Sequence, residues 1–206
     1  MRFSEIVVLI LILSSHCHLF TLLNLPLPLC ALIAIIVIWI VIHYLRLRIQ
    51  GKALVLVLNH SLAIDVCGAL MPTVLALIPV LAAPSPTPTQ IICLLTLSTS
   101  IAIITSLSSA GKMLVNVVRF VLTFTCLSAP LVDPLTMLVW IPLISVLGII
   151  MGADVIPYLL ILRQYGIEDK RGVFVIGGAG LHDAIMLSYL MSRGITSLIY
   201  VIQSRL

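Results

Sequence analysis

The sequence predicts an all-α, polytopic membrane protein, a transmembrane bundle of about six or seven helices forming one integral domain over 1–206. Three observations carry this prediction. Hydrophobic residues make up 62% of the chain and charged ones only 9%, with a mean hydropathy of +1.30. A water-soluble domain of this length has too little interior to hide so much apolar surface. The apolar runs approach the roughly 20 residues that cross a bilayer, and Pro, Gly, Ser and Thr account for most of their interruptions. Finally, the connectors that carry basic residues alternate with connectors that carry none.

Taken in order, the expected spans are 6–23, 28–45, 60–82, 91–110, 113–132, 137–162 and 173–191. The first begins with Arg2 and "IVVLILIL"; "SSHC" after it lacks a small-x-small cleavage pattern, so an uncleaved helix is expected. Arg46, Arg48 and Lys52 follow the second span, Lys112 the fourth, and Arg163, Lys170 and Arg171 the sixth. The connectors "NLPLP", "APSPTPTQ" and "SAPLVDP" carry no Lys or Arg. The positive-inside rule then puts the N-terminus and the basic loops in the cytoplasm of a cell-membrane protein. The net charge of +4 is topological in this arrangement, and nucleic acid is not an expected partner.

Two stretches depart from simple spans. "LRLRIQGKALVLVL" at 45–58 alternates polar and apolar residues around "QGK", which suits an interfacial β-hairpin, with Asn59 capping the helix after it. "VVRFVLTFTCLSAP" at 117–130 has an early arginine and many β-branched or aromatic residues, which suits a re-entrant segment as well as a span. The five cysteines, Cys17, Cys30, Cys67, Cys93 and Cys126, lie in apolar segments without a C-x-x-C pair and read as small buried hydrophobes.

Chemistry is to be sought in the seven acids. Glu5, Glu168 and Asp169 sit near water and Asp133 lies in a proline-flanked connector, whereas Asp65, Asp154 and Asp183 fall within apolar runs. A carboxylate at membrane depth is costly and marks a wet cavity or a functional site. Asp154 lies nine positions before Arg163 and Asp183 ten after Val173, about 14 and 15 Å at the helical rise, so the two carboxylates are expected at one level. Gly148 and Gly152, and Gly180 and Ala184, form small-xxx-small pairs that allow close packing of the last two spans. Pro157 removes a hydrogen bond from the turn that holds Asp154 and opens the helix there.

The blocks "CGALMP" (67–72), "SAPLVDPL" (128–135), "GADVIP" (152–157) and "IGGAGLHDAIML" (176–187) resemble an uncharacterised membrane family, domain of unknown function 1614, over about residues 55–190. Asp65 stands where that family has asparagine. The resemblance implies a multi-pass membrane protein and no particular activity. "GADVIPYLL" with "GGAGLHDAIM" is also faintly similar to presenilins and signal peptide peptidases, intramembrane proteases with one aspartate on each of two adjacent helices. Leu181 and His182 intervene between the glycines and Asp183, and no Pro-Ala-Leu follows Asp183, which departs from that pattern.

The first functional expectation is a proton- or cation-linked transporter or channel-like protein with Asp154 and Asp183 as ion or proton-relay groups. Its support is that "CGALMPTVLAL" (67–77) and "MGADVIPYLLIL" (151–162) share Gly-Ala and a nearby proline on helices expected to run oppositely. The alternatives are an intramembrane aspartyl protease, in which the same pair is catalytic and membrane helices are the substrates, and a structural or assembly role. Asp65, His182, Pro157, Gly152, Gly177, Gly178 and Gly180 are supporting candidates. A third acid joining the pair, with hydroxyls around it, favours an ion path; an isolated dyad favours proteolysis.

Other patterns carry less. The histidines of "HCH" (16–18) are two apart and diverge on a helix, so no metal site is expected. "GGAG" (177–180) lacks the further residues of a nucleotide loop, and no cofactor is expected. The hydroxyls of "TLSTSIAIITSLSS" (96–109) read as interhelical hydrogen-bonding groups.

Overall fold

The structure, a computed structural model, describes residues 10, 35–40, 43, 47, 55–59, 62–81, 83, 85–109, 112–165, 174–178 and 183–205. The first two expected spans thus fall almost wholly outside the described residues, apart from a helical piece at 35–40 whose Val37 joins the core.

The expected span at 60–82 is corrected. Strand β1 (Val55–Asn59) and strand β2 (Leu62–Asp65) come first, then a π-helical turn (Val66–Leu70) and helix α1 (Met71–Val80). Val, Leu and Ile fill both strands, whose β propensity suits a hairpin. The hairpin expected within 45–58 therefore lies further along the chain, and Asn59 ends β1 instead of capping a helix. Asp65 takes the capping role: its Oδ1 accepts from the amides of Cys67 at 2.9 Å and Gly68 at 2.7 Å.

Helix α2 (Pro88–Thr105) starts with a reciprocal cap, Thr87 and Gln90 each bonding the other's backbone N–H. It stops at Ser106, where "SLSS" holds poor helix formers. The chain then makes a second antiparallel hairpin, β3 (Ser106–Ser109) with β4 (Lys112–Val115), which the sequence reading missed. Helix α3 (Val117–Ser128), capped by Asn116, has only 12 residues and runs into a 3-10 turn (Ala129–Leu131).

Helix α4 (Pro134–Ile149) is capped by Asp133, passes through a second π-helical turn (Ile150–Val155) and continues as α5 (Ile156–Tyr165). Strand β5 (Phe174–Ile176) follows, then a turn at Gly177 and Gly178, then helix α6 (Ala184–Gln203), capped by Asp183. The last span thus lies at 184–203 and not at 173–191. Phe174, Val175 and Ile176 favour a strand, Gly177 at φ +74° interrupts any helix, and the apolar tail "ITSLIYVIQ" extends α6.

Three helices, Pro88–Thr105, Pro134–Leu160 and Ala184–Gln203, are long and apolar enough to cross a membrane. The expected six or seven are not reached among the described residues, because two of the predicted spans are shorter helices, Val66–Val80 and Val117–Leu131. Helix α4 is the centre of the bundle. It is buried along nearly its whole length and packs against α6, α2 and α1. The sheet order is β1-β2-β5, antiparallel then parallel, with Leu62, Ala63 and Ile64 in register with Phe174, Val175 and Ile176.

Candidate carboxylate site

Pro157 has no N–H to give to the carbonyl of Ala153, so a regular α-turn cannot close there. The chain widens into π geometry over Ile150–Val155, and Asp154 lies inside that wider turn. The same construction occurs earlier, where the π-helical turn Val66–Leu70 precedes Pro72. The similarity between "CGALMP" and "GADVIP" is thus a shared local geometry, whose cause is a proline early in the following helix.

Gly152 brings the turn against α2, since a Cβ there would lie 2.7 Å from Ala102 Cβ and from the Thr99 carbonyl oxygen. At Gly148 a Cβ would overlap the Ser98 hydroxyl, which donates to the Ile144 carbonyl at 3.0 Å. These two glycines therefore seat α4 and its π turn on α2. The expectation that they join the last two spans is corrected.

Asp183 is not ten residues inside a helix. It is the N-cap of α6, and its Oδ1 accepts from the Ile185 amide at 3.0 Å. Its charge nevertheless acts on the partly buried carboxyl of Asp154, to which the Gly177 amide donates. The connection runs through β5, which holds Gly177 at the end of the parallel ladder. A Cβ on Gly177 would lie 2.7 Å from the Cβ and from the amide nitrogen of Ala69 and 2.8 Å from the carbonyl carbon of Gly68. Only glycine fits this position, on both φ and space.

Depth follows from length. Helix α6 has 20 residues, about 30 Å at the helical rise, so Asp183 stands at one end of a full span. Asp154 lies twenty residues beyond Pro134 on the other long span, again about 30 Å along. The pair thus lies toward one end of these two helices, with Asp183 just before Ala184–Gln203 and Asp154 six residues before the end of Pro134–Leu160.

Asp65 is only 4% exposed, and its carboxylate is engaged as the cap of the first π turn. Among the described residues no group of three or more His, Cys, Asp or Glu side chains is arranged to hold a metal ion, so Asp65 does not complete such a group with the pair. Gly178 is exposed beside Val175. Gly180 and His182 lie outside the described residues. Of the hydroxyls on α2, those of Thr96, Ser100 and Thr105 bond carbonyls of their own helix, and Ser98 bonds α4.

Two features escaped the sequence reading. The backbone of Gly68 and Ala69 packs on Gly177, a relation between distant segments that no local pattern reveals. Arg193 lies buried midway along α6; its setting in "YLMSRGITSL" was the available signal. Compared with protein families, curated proteins and solved structures, the chain finds no match.

Chemically, the arrangement offers two electrostatically coupled carboxyl groups on separate elements. One stands at a helix N-terminus, whose dipole and free amides favour negative charge. The other accepts from a single amide in a loosened turn.

Proposed function

We propose that the chain is an intramembrane aspartyl hydrolase that cuts peptide bonds of membrane-embedded segments, with Asp154 and Asp183 as the catalytic pair. The observation that carries this reading is that the charge of Asp183 acts on the partly buried Asp154 carboxyl, while the Asp65 carboxylate accepts from the amides of Cys67 and Gly68. Charge is better accommodated on Asp183, at the N-terminus of α6, so Asp183 is the base and Asp154 carries the proton. Asp183 takes a proton from water as the water oxygen bonds to the amide carbon, and Asp154 protonates the carbonyl oxygen. Collapse of the resulting gem-diol breaks the C–N bond; one proton passes to the leaving nitrogen and the other returns to the dyad. The products are a carboxylic acid and an amine. The resemblance to the uncharacterised family and to presenilin-like proteases is consistent with this reading. In this reading the protein lies in the cell membrane, and the positive-inside rule supports basic loops, and with them the pair, on the cytoplasmic side.

Transport of protons or cations is the second reading. It draws on the two π-helical interruptions, each followed by a proline-bearing helix, since interrupted helices build ion sites in transporters. Purified protein in lipid, offered fluorogenic single-helix substrates, separates the two. Hydrolysis is expected to show a bell-shaped pH profile and to fall by at least about 100-fold in both Asp154→Asn and Asp183→Asn. Full activity in either variant overturns the protease reading. Absence of cleavage together with an Asp154-dependent proton flux in proteoliposomes replaces it with transport.

A further inference from the structure

Strands β2 and β5 leave their parallel ladder at the same level. Ile64 and Ile176 are the last register partners. One residue later each strand changes course: Asp65 leads into the π-helical turn Val66–Leu70, and Gly177 turns at φ +74°. The two departures are packed together, since a Cβ on Gly177 would lie 2.7 Å from the Cβ and amide nitrogen of Ala69 and 2.8 Å from the Gly68 carbonyl carbon. The amide of this same Gly177 donates to Asp154.

The position of that amide is therefore set from two sides. The ladder fixes β5 as far as Ile176, and the backbone of Gly68 and Ala69 is the wall against which the next residue turns. Asp65 in turn holds the wall. A single oxygen, Oδ1, accepts from the amides of Cys67 at 2.9 Å and Gly68 at 2.7 Å, two of the donors that the start of a helix leaves without a backbone acceptor. Asp65 is 4% exposed and Cys67 and Gly68 are buried, so without the carboxylate these amides lose their acceptor where water does not replace it. Asp65 is also the register partner of Val55 in β1, which anchors the cap in the sheet.

We infer that Asp65 is a positioning residue of the carboxylate site: by holding the turn Val66–Leu70 it keeps Gly68 and Ala69 against Gly177 and so aims the Gly177 amide at Asp154. What it supplies is an acceptor oxygen, not a transferable proton or a cation ligand. The site thus extends to a third segment of the chain. The link to cleavage rests on the aspartyl hydrolase reading, whereas the aiming of the amide does not.

The test uses the full-length protein in lipid nanodiscs and two variants. Asparagine keeps a carbonyl oxygen that accepts from backbone amides but carries no charge, and alanine keeps neither. Hydrogen exchange resolved at the Gly177 amide is expected to quicken at least about tenfold in Asp65→Ala, with α4 unchanged, and to stay within about twofold of the wild type in Asp65→Asn. With the fluorogenic single-helix substrates, Asp65→Ala should lower kcat at least about tenfold with KM little changed, and Asp65→Asn should retain most of it. Unaltered exchange at Gly177 in Asp65→Ala overturns the inference. So does loss of activity in Asp65→Asn with normal exchange, which would make the charge or proton of Asp65 the working part. Should Asp65→Ala fail to fold, Ala69→Gly decides: it removes the Cβ from the wall with the cap intact, and faster exchange at Gly177 supports the inference while unaltered exchange overturns it. A wild type that cleaves no substrate counts against the hydrolase reading alone, and the exchange result then decides the role of Asp65.

Discussion

At the residue scale the site turns on which positions tolerate a side chain. Gly177 and Gly178 are neighbours in sequence and look alike as a pair, yet only Gly177 has φ +74° and a backbone wall within 3 Å of its missing Cβ. Gly177→Ala is expected to destabilise the protein by about 1–3 kcal/mol and to displace the amide that donates to Asp154, lowering activity further. Gly178→Ala, whose Cβ would meet only Val175, should change stability by less than about 0.5 kcal/mol. Thermal unfolding of the two variants side by side checks the difference; equal losses would contradict it. Asp154 and Asp183 stand out in the sequence because acids are conspicuous in apolar runs. The route by which the chain brings the charge of Asp183 to bear on Asp154 does not. Equal counting from a shared loop assumed two helices, whereas Asp183 reaches Asp154 by way of a strand and a glycine turn.

At the element scale, helix starts were more legible than helix extents. Asp133, Asn116 and Thr87 are side-chain caps immediately before apolar helices, a signal that local sequence carries. Asp133 accepts from the Thr136 hydroxyl and from the amides of Thr136 and Leu135, which together hold its carboxyl below the ordinary value of 3.8 against the opposing effect of burial. A carboxyl with a depressed pKa in the folded state adds stability above its unfolded pKa and loses that contribution as the pH falls through the folded value. Asp133→Ala is therefore expected to cost about 0.5–2 kcal/mol at neutral pH, toward the lower end because the exposed group is screened. The gap between wild type and variant should close below about pH 4. Denaturation curves at both pH values check this; a gap that persists in acid would mean that the cap does not act through its charge. Extents were less legible, since a run of Val, Ile and Leu fills a strand as readily as a membrane helix. The hairpin β3–β4 and strand β5 fall inside or beside such runs.

At the scale of the whole molecule, composition pointed to the membrane class, and three helices long and apolar enough to cross a membrane fit it. It did not establish how many segments cross, since lipid solvates the side chains of a half-length helix and a full one alike. The three full-length candidates make a directional prediction. Arg163 lies beyond the Asp154 end of the bundle and Ser204 at the opposite end, where it lines the cavity beside Asp133. In a cysteine-free background, Arg163→Cys and Ser204→Cys should react with an impermeant maleimide from opposite sides of sealed vesicles, with Arg163→Cys on the cytoplasmic side. Labelling of both from one side would rule out α6 as a complete span. The pairing of β2 with β5 also bears on the history of each molecule. Leu62 and Phe174 are partners although 112 positions separate them (174 − 62), and Asp183 comes later still. Closing so long a loop is slow compared with making local contacts, and it cannot begin until residues 174–176 have been made. A ribosome-bound intermediate that ends before residue 183 holds Asp154 but lacks Asp183, so the pair arises only after the long-range closure becomes possible.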